Sequence, residues 1–372
     1  MRAPSHVAFN ALFLDPGVSG GPETYLRGLV PAIATAFPRL RLTLFTTRRG
    51  ATALRAGGWT DFARILHLPA DEGQRGRRLL AEQVLVAAGA RRAGADLLHS
   101  LASTGPVRPL TRSVVTLHDV TFTRIRTFGA LTTVAMRLVV AGAARSADAL
   151  ISGSEAARDD VCAALGLDPA RFTVVPHGAG RPPTVAPAPA ESLRARLGLD
   201  GRRLVLCVGA VRPHKNQRLL VEALPRLPGD VALVLAGVHE LGADELPGLA
   251  DRLGVADRLR MPGYLPDAEV EALWGMASCL AFPTRGEGFG LPVLEAMRRG
   301  VPVACSDIPV LREVGGDVAH YFPPDDAGAA ASAIAAAIAD ARAAASGRER
   351  AARYSWEAAA HGTHAAYERA LA

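Results

Sequence analysis

The chain has 372 residues, 49% hydrophobic and 21% charged, with 37 Gly and 26 Pro. At about 100 to 200 residues per domain this length predicts two domains, and the apolar content excludes a disordered chain. The formal net charge of +6 suits nucleic acid, an anionic membrane surface or a phosphorylated ligand, and charge alone does not choose among them.

From the N-terminus, short β-type runs alternate with helix-length segments: Val7 to Leu14, Leu40 to Thr46, Ile65 to Leu68, Val114 to Leu117, Ala149 to Ser152 and Phe172 to Val175. Such alternation predicts βαβ units and a mostly parallel sheet covered on both faces. The first run is interrupted by Asn10 and lacks a cleavable signal pattern. No run approaches the roughly 20 apolar residues that span a bilayer, so the expected location is cytoplasmic.

The stretch Arg181 to Pro189, rich in proline and alanine, breaks the pattern and reads as an interdomain linker. A second series follows at Leu204 to Val208, Val231 to Ala236, Leu259 to Met261, Cys279 to Ala281 and Val301 to Ala304. The fold class expected is therefore α/β, two Rossmann-like doubly wound domains facing each other across a cleft: residues 1–183, a linker at 184–200, and 201–350. An Ala-rich helix should open at Asp325 or Asp326, with a break at Ser346-Gly347 and a last helix from about Trp356. Residues 351–372 are expected to pack back on the N-terminal domain. Cys162, Cys207, Cys279 and Cys305 are scattered in apolar stretches, without metal-site spacing, and read as buried reduced thiols.

Four loops carry chemistry. Glu287-Gly-Phe-Gly-Leu-Pro-Val-Leu-Glu295 runs from a strand into a helix with Pro292 in its first turn. Its glycines allow close backbone approach, and the helix start offers free N–H groups that suit a phosphate. Glu295, in the first helical turns, has the acceptor oxygens to hold the vicinal hydroxyls of a ribose. Glu287, before the turn, would face whatever lies beyond the phosphates. Alternatively, Glu295 compensates a helix dipole and Glu287 is solvated. Gly209-Ala-Val-Arg-Pro-His-Lys-Asn216 follows the first strand of the second half and holds Lys215, the only lysine of the chain. Lys215 is expected to open a helix and meet the same diphosphate, flanked by Arg212 and His214; the alternative is a solvated loop lysine. Gly17-Val-Ser-Gly-Gly-Pro-Glu23 is a glycine loop between the first strand and helix, and such loops serve diphosphates or plain tight turns. His118-Asp119 stands at the carboxyl end of a strand, where His118 could donate to a sugar hydroxyl or stabilise developing charge, with Asp119 or a backbone group setting its tautomer. A structural histidine is the alternative. His6, His67, His177 and His239 show no metal-ligand spacing, and no Asp-x-Asp motif is present.

Taken in order, the Gly20-Gly21 loop, His118-Asp119, Ile151-Ser-Gly-Ser154, Val174-Val-Pro-His-Gly178, the Arg212 to Asn216 segment and Glu287-x7-Glu295 resemble the family 4 glycosyltransferases, whose fold is GT-B and which retain anomeric configuration. The resemblance implies a glycosyltransferase using a nucleotide diphosphate sugar, mannose-type or similar. It implies that Lys215 and the backbone at Gly290 and Leu291 contact the donor diphosphate, that Glu295 holds the ribose, and that Glu287 and His118 face the transferred sugar. Many relatives place an arginine where this chain has Ala210, and Arg212 is the expected substitute. No metal or other cofactor is expected. The acceptor is a saccharide, lipid-linked or small-molecule hydroxyl compound, and nucleic acid is not an expected partner. A nucleotide-sugar epimerase or hydrolase would place carboxylates around the sugar in both domains, whereas a non-catalytic binding protein would have lost site residues. Arg75, Arg77, Arg78, Arg91 and Arg92 form either a solvated face or a peripheral contact with anionic lipid at the inner face of a membrane.

Overall fold

The computed structural model describes residues 3–70, 75–123, 130–180 and 185–372. The expected boundary at 183/184 and the beginning of the Arg181 to Pro189 stretch lie outside the described residues, as does the side chain of Arg75. The chain divides into two compact units, one built from residues up to Gly178 together with Ser355–Ala372, the other from Ala179–Tyr354.

In the first unit, strands β1 (His6–Ala11), β2 (Arg41–Thr46), β3 (Arg64–His67), β4 (Leu97–Ser100), β5 (Arg112–Thr116), β6 (Ala149–Ser152) and β7 (Phe172–Val174) lie in the order β3-β2-β1-β4-β5-β6-β7. All of these pairings are parallel. Every residue of β1, β4 and β6 is buried. Burial on both faces removes any reason to alternate polar and apolar residues, which is why these strands read as continuous runs. β4 escapes that reading because two of its four residues, His99 and Ser100, are polar. Its burial is made tolerable by hydrogen bonds of 2.8 Å between His99 Nδ1 and the Tyr367 hydroxyl and between Nε2 and the Thr116 hydroxyl, one ring nitrogen donating and the other accepting. Desolvation, with His118 nearby, pushes the His99 pKa down to about 3, so the ring stays neutral.

The helix Gly21–Ala36 buries Tyr25, Leu26, Leu29, Val30 and Ile33, the spacing of one helical face. It packs against the last helix, Trp356–Leu371, whose Ala359, Ala360, Ala366, Tyr367 and Ala370 join the core of this unit. Ser355 starts that helix by accepting from the Ala358 N–H at 3.0 Å. The contact is close: a Cβ at Gly28 would lie 2.0 Å from the Trp356 ring, and one at Gly178 2.6 Å from it.

The second unit holds β8 (Arg203–Val208), β9 (Val231–Ala236), β10 (Leu259–Gly263), β11 (Ala277–Phe282), β12 (Val303–Ser306) and β13 (His320–Phe322), in the order β10-β9-β8-β11-β12-β13. β13 is only three residues long, too short for its pattern to stand out in the sequence. The β9–β10 register shifts between Arg260 and Gly263, where Pro262 has no N–H to give the ladder. Asp326, rather than Asp325, caps the Ala-rich helix Ala327–Ala339 by accepting from Ala329 N–H at 2.9 Å.

The expected break at Ser346-Gly347 is not there. Helix Ala343–Ala351 runs through both residues, and the interruption comes earlier, after Ala339. Gly347 is a packing residue: its Cβ would stand 3.3 Å from Met297 Cα, in the neighbouring helix Leu291–Arg299. All four cysteines are buried and free. Among the described residues, no helix is long and apolar enough to cross a membrane.

Because Gly28 has no room for a methyl group, Gly28→Ala should overpack the contact with Trp356 and cost about 1–3 kcal/mol. Gly229→Ala, where nothing stands within 4 Å of the added carbon, is the comparison. Thermal unfolding should show a clear fall in Tm for the first and almost none for the second; equal effects would show that Trp356 yields freely.

Candidate functional site

In the second unit the site is assembled by loops at the carboxyl ends of β8 and β11. After β8 the chain turns at Gly209 (φ 130°), and a Cβ at Gly237, after β9, would meet the Gly209 carbonyl at 2.2 Å. Only glycine lets the two backbones pass. Pro213–Lys215 forms a short 3₁₀ turn, and Asn216, left-handed at φ 58°, leads into helix Gln217–Ala223. Lys215 thus ends a turn rather than opening the helix.

This loop is tied to the one after β11. Asn216 Nδ2 donates to the carbonyls of Pro283 (3.1 Å) and Pro324 (2.7 Å). The Thr284 hydroxyl lies 3.1 Å from the His214 carbonyl oxygen, and Arg285 N–H donates to that oxygen at 2.8 Å. Lys215 and Glu287, 72 positions apart, meet as a direct ion pair between Nζ and Oε2. Lys215 Nζ also stands 5.2 Å above the Phe282 ring centroid. The buried Cys207 thiol of β8 is pushed up to about 12 by burial, with the lysine charge opposing.

Gly290, left-handed at φ 97°, leads into helix Leu291–Arg299. Phe289 of the Gly-Phe-Gly core is buried and meets the Tyr354 ring edge-on, with centroids 5.9 Å apart. It anchors the turn while the glycines on either side keep the backbone approachable. Glu295 lies in the second helical turn, half-buried, and its Cγ would be 2.2 Å from a Cβ at Gly180. Arg212, the expected substitute for the arginine missing at Ala210, makes a two-pronged pair with Glu240, with distances of 2.8 and 2.5 Å. Its charge is therefore shared with a carboxylate of the loop after β9, an adjacency that sequence spacing did not reveal.

In the first unit, Gly20 (φ 59°) caps helix Gly21–Ala36, and nothing lies within 4 Å of a Cβ built at Gly20 or Gly21. Behind this bend Glu23 accepts from Gly17 N–H at 3.0 Å and pairs with Arg27 at 2.7 Å. His118 follows β5. Its Nε2–H donates to the Leu101 carbonyl at 2.7 Å, and its backbone N–H donates to Ser103 Oγ at 3.0 Å. A backbone carbonyl, not Asp119, thus sets the tautomer; Asp119 instead accepts from Thr121 N–H at 2.8 Å. Nε2–H is therefore committed to the loop, and any polar contact of the ring with a ligand falls to Nδ1.

His177, which spacing had not singled out as a ligand, packs beside His118 with centroids 5.5 Å apart and 4.4 Å from Tyr25. Burial, reinforced by the neighbouring His118, holds it neutral, well below the ordinary histidine range. The Val174-Val-Pro-His-Gly178 segment was the only sequence signal for it.

With this geometry in view, comparison with known proteins is informative. The family described as Glycosyltransferase Family 4 matches residues 19–179, and the one described as Glycosyl transferases group 1 matches residues 190–355. The O-antigen chain mannosyltransferase B of Escherichia coli is 35% identical over 180 residues, 46% of this chain and 47% of that protein. The D-inositol 3-phosphate glycosyltransferase of Segniliparus rotundus is 30% identical over 237 residues, 60% of this chain and 53% of that one. The chain thus spans about half the length of these curated relatives. The crystal structure of Anabaena HepE in complex with UDP and glucose superposes with a TM-score of 0.74 at 19% identity, covering 98% of this chain and 99% of that one. Two family signatures matched in chain order, on a pair of parallel sheets that solved structures share, place this chain among the family 4 glycosyltransferases of GT-B fold.

Proposed function

We propose that the protein is a retaining, metal-independent glycosyltransferase that moves a mannose-type or similar hexose from a nucleoside diphosphate sugar to a hydroxyl of a saccharide, lipid-linked or small-molecule acceptor. The observation that carries this reading is the meeting of Lys215 and Glu287 beside the glycine-led start of helix Leu291–Arg299. A cation, a carboxylate and a helix start whose first N–H groups lack intrahelical partners are gathered there, which suits a diphosphate joined to a polyol. The names of the relatives, a mannosyltransferase and an inositol phosphate glycosyltransferase, and the UDP and glucose bound by HepE support the same class of donor.

In this reading Glu295 accepts hydrogen bonds from the ribose hydroxyls, and the backbone at Gly290 and Leu291 donates to the diphosphate. Lys215 neutralises charge that grows on the leaving phosphate. Glu287, already paired with that lysine, holds sugar hydroxyls, and His118 faces the same sugar through Nδ1. The Gly20-Gly21 bend is open backbone for the phosphates, and Arg212 supplies a second cation by sharing Glu240. The acceptor hydroxyl attacks the anomeric carbon on the face the phosphate leaves. The carbon–oxygen bond to the diphosphate breaks, the new glycosidic bond forms, and the hydroxyl proton passes to the departing phosphate oxygen. No side-chain nucleophile is needed.

A peripheral contact with anionic lipid belongs to the same proposal. Leu80 (66% exposed) and Val84 (57%) stand on successive turns before β4, and Val134 (57%) and Leu138 (69%) on successive turns of helix Ala130–Ser146. Gln83 joins the two faces, bonding Gly105 O and Val107 N at 2.8 Å each, while Val107 abuts Gly142. Arg77, Arg91 and Arg92 are exposed on the same segment as Leu80, an apolar strip flanked by cations. Cosedimentation should show binding to vesicles containing phosphatidylglycerol and little to phosphatidylcholine alone, with Leu80→Glu plus Leu138→Glu abolishing it; vesicle binding unaltered by the double variant would refute the contact.

Glu295→Ala should fold normally yet bind UDP or GDP more weakly by about 1.5–3 kcal/mol, the loss of a charged hydrogen-bonding partner. Calorimetry decides, and unchanged affinity for whichever nucleotide the parent binds would remove Glu295 from the ribose site.

Turnover tests the chemistry. If Lys215 meets charge that develops as the bond breaks, Lys215→Ala should lose about 3 to 4 kcal/mol of transition-state stabilisation, a fall in kcat of ~10²–10³ at saturating donor. Lys215→Arg should rescue only in part, and the parental rate should survive excess EDTA. A kcat within twofold for Lys215→Ala, or loss in EDTA restored by magnesium or manganese, would overturn the mechanism.

A further inference from the structure

The segment before β4 is not a uniform α-helix. Helix Arg75–Ala81 widens into a π-turn over Glu82–Val86 before α-geometry resumes at Ala87, and such turns often mark sites where a side chain has to be placed. Glu82 is 3% exposed. Its Oε2 accepts from the Thr104 hydroxyl at 3.0 Å, Asn10 is a further hydrogen-bonding neighbour, and Oε1 is buried without a hydrogen-bond partner. Burial raises this carboxyl to about 7, opposed by Asn10, Thr104 and the charge of Arg78. The next side chain, Gln83, donates from Nε2 to Gly105 O and accepts at Oε1 from Val107 N–H, both at 2.8 Å. Two consecutive residues of the π-turn therefore grip one loop, at Thr104 and at Gly105 to Val107.

The same loop grips His118. Leu101 O accepts its Nε2–H, Ser103 Oγ accepts its backbone N–H, and Ser103 N–H donates to Thr116 O at 2.9 Å. Ser103 is held at φ 62°, a left-handed conformation that residues other than glycine seldom adopt unless their surroundings enforce it. The loop has little slack on the β4 side, since a Cβ at Gly105 would lie 2.7 Å from Ser100 Oγ.

We propose that Glu82, acting through Thr104, is a positioning residue for His118: the π-turn anchors residues 101–105, and that loop sets the orientation and the Nε2–H tautomer of the His118 ring. Glu82 does not touch substrate. A purely structural tie between helix and loop would change stability and leave the ring alone. The kinetic consequence rests on the proposed function, whereas the state of the ring does not.

The test is NMR of protein with ¹⁵N-labelled histidine rings, the His118 signals being identified by their loss in His118→Asn, alongside steady-state kinetics. The parent should show a single Nε2–H tautomer for His118. Thr104→Val, which keeps the shape and removes the donor, should shift this pattern toward exchange between tautomers and lower kcat about tenfold, with the donor KM within twofold; Thr104→Ser should restore both. Should Thr104→Val fail to fold, Glu82→Met, which fills the buried volume without offering an oxygen, is read by the same criteria. An unchanged His118 pattern in the folded variant overturns the inference whatever the rates, and a shifted ring with kcat within twofold overturns its link to turnover. A parent that transfers no sugar counts against the proposed function and leaves the ring measurement decisive for Glu82.

Discussion

Asn216 is the constraint on which the second unit's site depends. Loops that leave the carboxyl ends of parallel strands have no ladder to pair with, so their buried polar groups need other partners. One side-chain amide, held in a left-handed turn, meets that need for two loops, those carrying Pro283 and Pro324. Each such bond contributes only about 1 kcal/mol net. Its geometric effect is larger: the residue before Asn216 is the lysine, and Glu287 lies four residues beyond Pro283. Once the loops are tied, the charge pair follows without either side chain having to search for its partner.

Much of the fold was legible because doubly wound sheets leave a coarse signature, apolar runs alternating with helix-length segments. β4 and β13 were not, since one carries a buried histidine and serine and the other is three residues long. Glycine and proline marked where the site loops begin and end, because a positive φ or a close approach leaves few alternatives to those residues. Pairing was invisible. Nothing in the spacing of Arg212 and Glu240, or of Glu82 and Thr104, shows that β9 lies beside β8 or that a π-turn faces the loop after β4. The break expected at Ser346-Gly347 failed for a related reason: glycine makes room for a neighbouring helix as readily as it ends its own.

The arginine-rich composition acquires a physical sense in the structure. Arg203 with Asp230 and Arg312 with Asp307 form planar two-pronged pairs at 2.7–2.8 Å on the surface, where water screens them and they add little to stability. These are forks matched to carboxylates. Lys215 is a different cation, a compact ammonium set against one carboxylate and an aromatic face, able to exchange partners without breaking a planar lock.

The last helix has a consequence for biosynthesis. Its Tyr367 is the hydrogen-bonding partner of His99 in a central strand, and its alanines complete the core beside helix Gly21–Ala36. Residues 179–354 leave the ribosome before that helix exists. The N-terminal sheet must therefore wait, with His99 Nδ1 unsatisfied and one apolar face uncovered, while the second unit already has all of its own strands. The first unit to be translated is the last to be finished, and for that interval its uncovered face is the part of the nascent chain most in need of protection from aggregation.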